Sequence, residues 1–115
     1  MLDGMTTYAV AHLRTPTTND DVIRYIERIQ DTLDPYGGRF LVHGKQVEVI
    51  EGSWPGTIVI IAFPDSAAAH AWYASDAYQE ILPLRTDHIE GSAIFVDGVG
   101  PDYDPRVTAA ALRAG

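Results

Sequence analysis

The sequence predicts an α+β fold of order βαββαβ, a four-stranded antiparallel sheet with two helices on one face. Three observations predict it. Apolar runs at Tyr8–Leu13, Thr57–Phe63 and Ser92–Asp97 have the length and residue types of strands. Between the first two lies a helical stripe, Val22, Ile26, Ile29, Leu33 and Tyr36, at spacings of four, three, four and three. The 115 residues, 46% of them apolar, suffice for one domain and little else.

Taken in order, the first strand places Tyr8, Val10 and His12 on one face and Ala9, Ala11 and Leu13 on the other. Both faces are at least partly apolar. Pro16 then breaks the chain, and Thr17, Thr18, Asp20 and Asp21 supply cap hydroxyls and acidic groups for the positive end of a helix. The stripe faces the sheet, Arg24, Glu27, Arg28 and Asp31 face water, and Gly37-Gly38 ends the helix. Arg39–His43 and Gln46–Glu51 read as two short extended pieces bent at Gly44-Lys45, followed by a turn at Gly52–Gly56. Thr57–Phe63 is apolar on both faces, which predicts a central strand. Asp65 and Ser66 cap a helix over Ala67–Ala74, with Ala68, Ala71 and Trp72 at helical spacing, and a shorter helix over Asp76–Leu82 stops before Pro83. The last strand ends at Gly98. The order is that of a split βαβ or ferredoxin-like unit. The domain spans residues 6–99, and residues 100–115 form a tail. Its Ala-rich end, Arg106–Gly115, is too short to be stable as a lone helix, so it is frayed or docked on the partner subunit.

Sixteen acidic residues against eight basic ones give a net charge of -8, which argues against nucleic acid and anionic membrane surfaces as partners. The absence of cysteine excludes a disulfide scaffold, a thiolate metal site and a cysteine nucleophile. No stretch approaches the roughly 20 apolar residues that span a bilayer, and Met1–Met5 lacks the basic start and apolar run of an export signal, so a cytoplasmic location is expected.

Right-handed crossovers place both helices of this order on the same side of the sheet. The other face is left apolar and far larger than the few hundred Å² a soluble monomer commonly exposes. A second copy of the chain is the simplest cover, so a homodimer of two facing sheets is expected.

Tyr36-Gly37-Gly38-Arg39-Phe40-Leu41-Val42, Glu51-Gly52-Ser53-Trp54-Pro55, Phe63-Pro64, Ala71-Trp72-Tyr73, Tyr78-Gln79 and Arg85 resemble the bacterial domain of unknown function 1330 family over about Tyr8 to Val99. The resemblance implies the ferredoxin-like dimeric α/β-barrel superfamily and no settled activity. Relatives there include cofactor-free oxygenases, isomerases, haem-handling enzymes and ligand-binding regulatory domains.

Seven residues are candidates for a site. Arg39 could clamp a carboxylate or enolate, the alternative being an ion pair with Asp34 or Glu51. It shares a strand face with Leu41 and His43. His12, His43 and His88 are candidate general bases, but no histidine has a partner at metal-ligand spacing, so no metal is expected. Trp54, in a loop bounded by Gly and Pro, either plugs the barrel end or closes over a ligand. Tyr78 orients a polar ligand or bonds to backbone. Arg85 matches the family pattern and could face a pocket, or else pairs on the surface. Ser53 and Ser75 lack a nucleophile-elbow context, and Gly37-Gly38 precedes a strand, so serine-hydrolase and nucleotide motifs do not apply.

The expectation is a homodimer that binds or converts a small organic molecule in a pocket between sheet and helices, with no cofactor. As an enzyme it would be an acid/base isomerase or a cofactor-independent monooxygenase, with a histidine as base and Arg39 or Arg85 as anion stabiliser. The rivals are a non-catalytic ligand-binding or structural dimer and a haem binder using one histidine.

Overall fold

Four strands form one antiparallel sheet: β1 (Thr7–Leu13), β2 (Arg39–His43), β3 (Thr57–Phe63) and β4 (Gly91–Asp97), in the order β2-β3-β1-β4. The computed structural model describes residues 5–115; residues 1–4, considered above only for an export signal, lie outside the described residues. The doubly apolar β3 is central, as its composition requires.

The strand register assigns every side chain to a face. One face carries the rows Ile94–Val10–Ile60–Val42, Val96–Tyr8–Ala62–Arg39 and Ser92–His12–Ile58. The other carries Phe95–Ala9–Ile61–Phe40 and Ala93–Ala11–Val59–His43. Only the second face is covered by helices, and the buried core of Leu33, Phe63, Trp72, Tyr78 and Ile81 lies there.

Three helices make that cover. α1 (Asp20–Leu33) is capped by Asn19, whose side chain accepts from Val22 N at 2.9 Å, and a 3-10 turn over Asp34–Tyr36 extends it. Gly37 ends it in the left-handed region, φ 72°. At Gly38 a Cβ would lie 2.7 Å from Leu33 Cδ2 and 2.8 Å from a Phe63 ring carbon, so the bare backbone lets the chain enter β2 against the core. α2 (Ser66–Ala74) is capped by Asp65, and α3 (Asp76–Thr86) by Ser75. The tail contains α4 (Pro105–Ala114), capped by Asp104, with no buried residue.

Four sequence expectations are corrected. The buried stripe of α1 runs through Val22, Tyr25, Ile29 and Leu33, while Ile26 is 48% exposed, because the helix turns its tyrosine rather than the neighbouring isoleucine toward α3. Residues 46–51 form no strand: among the described residues they find no partner edge, and Ile50 is 87% exposed. α3 does not stop at Pro83 but continues to Thr86. Proline removes one hydrogen bond there, and the packing of Ile81, Leu82 and Leu84 on the core offsets that loss. Finally, Arg39 and His43 do not share a face. A register shift between Phe40 and Val42 makes Leu41 an extra, bulged residue, which sends Arg39 and His43 to opposite sides.

The turn into β3 depends on Gly56, φ 90°, where a Cβ would sit 1.8 Å from the Leu13 carbonyl oxygen. Gly56→Ala is expected to cost about 3 kcal/mol or more, because it combines strain with a backbone clash. Urea unfolding of the variant against wild type measures this, and a change below about 1 kcal/mol would contradict the close approach.

Candidate functional site

Small side chains on the helix-covered face leave room under α1. Ala9 and Ala11 of β1 lie beside Ile61 and Val59 of β3, and Ala93 of β4 lies beside Ala11. Above them the helices do not reach the sheet, and a cleft of about 650 Å³ opens between the two layers. That volume is in the range of small-molecule sites. Its walls are mostly apolar, with Ile29, Val59, Trp72 and Phe95 among them, and no aspartate or glutamate of the described residues lines it.

One wall is polar and built from α1 and α3. The Tyr25 and Tyr78 hydroxyls lie 2.7 Å apart, both buried. Arg85 stands seven residues beyond Tyr78, two turns along the same face of α3, and its Nη2 donates to the Tyr78 hydroxyl at 3.4 Å. Its guanidinium carbon is 5.5 Å from the centre of the Tyr25 ring, a cation–π distance. Burial, then the neighbouring Tyr78, pushes the Tyr25 hydroxyl far above its usual pKa, so it remains a donor. Desolvation draws the Arg85 pKa down, and the oxygens of Tyr25 and Tyr78 outweigh it, so the net shift is upward and the charge persists.

His43 is on the cleft wall at the β2 edge, its ring stacked on Phe40 at 4.4 Å between centroids. Partial desolvation lowers its pKa below 6.5, which leaves the imidazole neutral at pH 7.

Of the seven sequence candidates, the cleft gathers His43, Tyr78 and Arg85. The other four lie elsewhere. His12 is on the uncovered sheet face, where its Nε2 donates to the Pro55 carbonyl at 2.6 Å and its ring stacks on Trp54 at 4.1 Å. Trp54 thereby pins the loop between β2 and β3 to the end of β1. Arg39 is exposed on the uncovered face, and among the described residues neither Asp34 nor Glu51 is within ion-pair distance of it. His88 pairs with Asp21 at 2.9 Å on the surface, and that hydrogen bond, then Arg24, holds the Asp21 carboxyl below its usual range. Among the described residues no three His, Asp or Glu side chains are grouped to hold a metal ion.

Residues 6–99 match the family described as Domain of unknown function (DUF1330). The chain belongs to the DUF1330 family. A comparison with curated proteins finds no match. Among solved structures, the DUF1330 chain is similar to the RPA0582 protein of unknown function from Rhodopseudomonas palustris, at 13% identity and TM-score 0.66, covering 86% of each chain. It is also similar to a dimeric ferredoxin-like protein of unknown function from Thermobifida fusca, at 15% identity and TM-score 0.58, covering 85% of this chain and 95% of that one. A third similar structure is SnoaB, a cofactor-independent oxygenase from Streptomyces nogalater, at 9% identity and TM-score 0.60, covering 88% of this chain and all of the other. These likenesses establish the ferredoxin-like fold.

The residue that sequence reasoning missed in this DUF1330 protein is Tyr25. Its signal was present, a tyrosine three residues after Val22 and four before Ile29, where a core stripe rarely carries a hydroxyl. The Tyr78–Arg85 relation was hidden by ending α3 at Pro83.

The lowered His43 pKa has a definite sign. Below 6.5 the unfolded chain takes up a proton that the folded protein resists, so stability falls as pH drops through the window from 6.5 to the folded value. NMR titration of the His43 ring should give a midpoint below 6.5, and His43→Asn should lose less stability than wild type between about pH 7 and pH 5. A midpoint at or above 6.5 would show that the ring is not desolvated.

Proposed function

We propose that this DUF1330 protein is a homodimer in which each subunit holds a small, largely apolar organic molecule in the cleft between sheet and helices. The observation that carries this is the cleft itself, a 650 Å³ space walled by apolar side chains and closed at one wall by a polar cluster. A packed core leaves few voids larger than a water molecule, so a space of this size is not a packing defect.

Support for the dimer comes from the uncovered sheet face. Ile94, Val96 and Leu41 are exposed on that side or at its bulge, with Val10 and Ile60 half-buried between them. Two structures similar to this chain are described as dimeric. In this reading the exposed α4 is a further contact with the partner, since a ten-residue helix is marginal in water alone. A second reading, conversion rather than binding, is favoured by His43: a neutral imidazole on the cleft wall has the protonation state of a general base.

Two measurements test the proposal. Naphthalene derivatives titrated into methyl-labelled protein should shift the methyls of Ala9, Ala11 and Val59 and leave those of Ile60 and Val96 unmoved. Shifts confined to the second set would place binding outside the cleft and overturn the site. Ile94→Glu should convert a dimer to a monomer in light scattering, because a charge replaces an apolar side chain that is 57% exposed in the single chain. A variant that stays dimeric would remove the sheet face as the interface.

A further inference from the structure

The polar wall of the cleft is incompletely satisfied, and the way in which it is incomplete points to a chemical class of ligand. The Tyr25–Tyr78 pair has two hydroxyl protons and one bond between them. Whichever tyrosine donates, the other O–H has no acceptor among the described residues, since Arg85 offers only donors. Tyr25 is 8% exposed and Tyr78 2%, so the cleft is the one direction from which that O–H can meet an acceptor. Arg85 lacks a counter-charge as well: among the described residues no carboxylate lies within ion-pair distance, and its protein contacts are a neutral hydroxyl and a ring face. A guanidinium fork and a free O–H on one wall are what a carboxylate accepts from.

We infer that the ligand is a monoanion, a flat apolar molecule with a single carboxylate seated on Arg85 and the Tyr25–Tyr78 pair. This rests on the cleft being the binding site, as proposed above, and adds the class of molecule. One charge, not two, follows from the lining: among the described residues Arg85 is the single permanent cation there, and the lowered pKa of His43 keeps that ring mostly neutral at pH 7. A flat body follows from the aromatic surfaces beside the cluster, where the Trp72 and Tyr73 rings stand 4.1 and 5.5 Å from that of Tyr78. The net charge of -8 further opposes a polyanion.

The test is a matched pair, 2-naphthoate and 2-naphthamide, with 2,6-naphthalenedicarboxylate as the dianion, titrated into the full chain by calorimetry and by methyl NMR. The naphthoate should bind at least tenfold more tightly than the amide and than the dianion. Arg85→Gln should remove most of the naphthoate's advantage over the amide, Arg85→Lys should restore part of it, and Tyr25→Phe should weaken the naphthoate several-fold and the amide less. Without ligand, Arg85→Gln should keep or raise the melting temperature, because it removes an uncompensated charge. Equal affinities for acid and amide, with both shifting the cleft methyls, overturn the anion inference and leave the cleft reading standing. No binding and no methyl shift with any of the three overturn both. A melting temperature that falls in Arg85→Gln, with the naphthoate preference intact, makes Arg85 structural and also overturns the inference.

Discussion

A sheet that is apolar on both faces, in a chain with helices for only one of them, is the constraint from which the rest of the structure follows. The rows Ile94–Val10–Ile60–Val42 and Phe95–Ala9–Ile61–Phe40 are about equally apolar, yet they lie on opposite sides of the same four strands. Right-handed connections bring α1, α2 and α3 to one side, and nothing in the connectivity can send one of them across. The uncovered side is therefore a product of topology. The loop between β2 and β3 adds to it, because the His12–Trp54 stack and the bond to Pro55 fasten that loop at the same side.

On the covered side the packing is uneven. Toward the Phe63 end, Leu33, Phe63, Trp72 and Ile81 fill the layer tightly enough that Gly38 cannot accept a Cβ. Toward the other end, alanines replace large residues on β1 and β4 and the layers part. The tight end holds the helices on the sheet, and the loose end supplies space without requiring the fold to be weak throughout. The Tyr25–Tyr78 hydroxyl bond sits between α1 and α3 at this boundary, so it fixes the helix spacing and orients the polar wall together.

Much of this was legible in the sequence. Strand positions followed from apolar runs, the helix ends from Asp65 and Gly37, and the central place of β3 from its two apolar faces. The site was legible only in part, and the physical reasons differ by residue. A bulge is a property of pairing between two strands, so one sequence run cannot show that Leu41 is supernumerary, and regular alternation puts His43 and Arg39 on a common face. Tyr25 and Ile26 are adjacent and about 100° apart around the helix, so either closes the stripe from Val22 to Ile29, and only α3 decides between them. Pro83 is a local signal against helix, and tertiary packing overrode it.

That override matters for chemistry as well as for shape. If α3 ended before Pro83, Arg85 would lie in a loop free to reach solvent, where a guanidinium is stable without a partner. Because the helix continues, Arg85 is held two turns from Tyr78 and directed to a partly desolvated wall with no carboxylate in reach among the described residues. Desolvation of the guanidinium there is a cost that an apolar residue of similar size would not carry, and the Tyr25 and Tyr78 oxygens offset it. An apolar side chain at position 85 could not donate to the Tyr78 hydroxyl, and in the function proposed above the arginine serves the cleft rather than the fold.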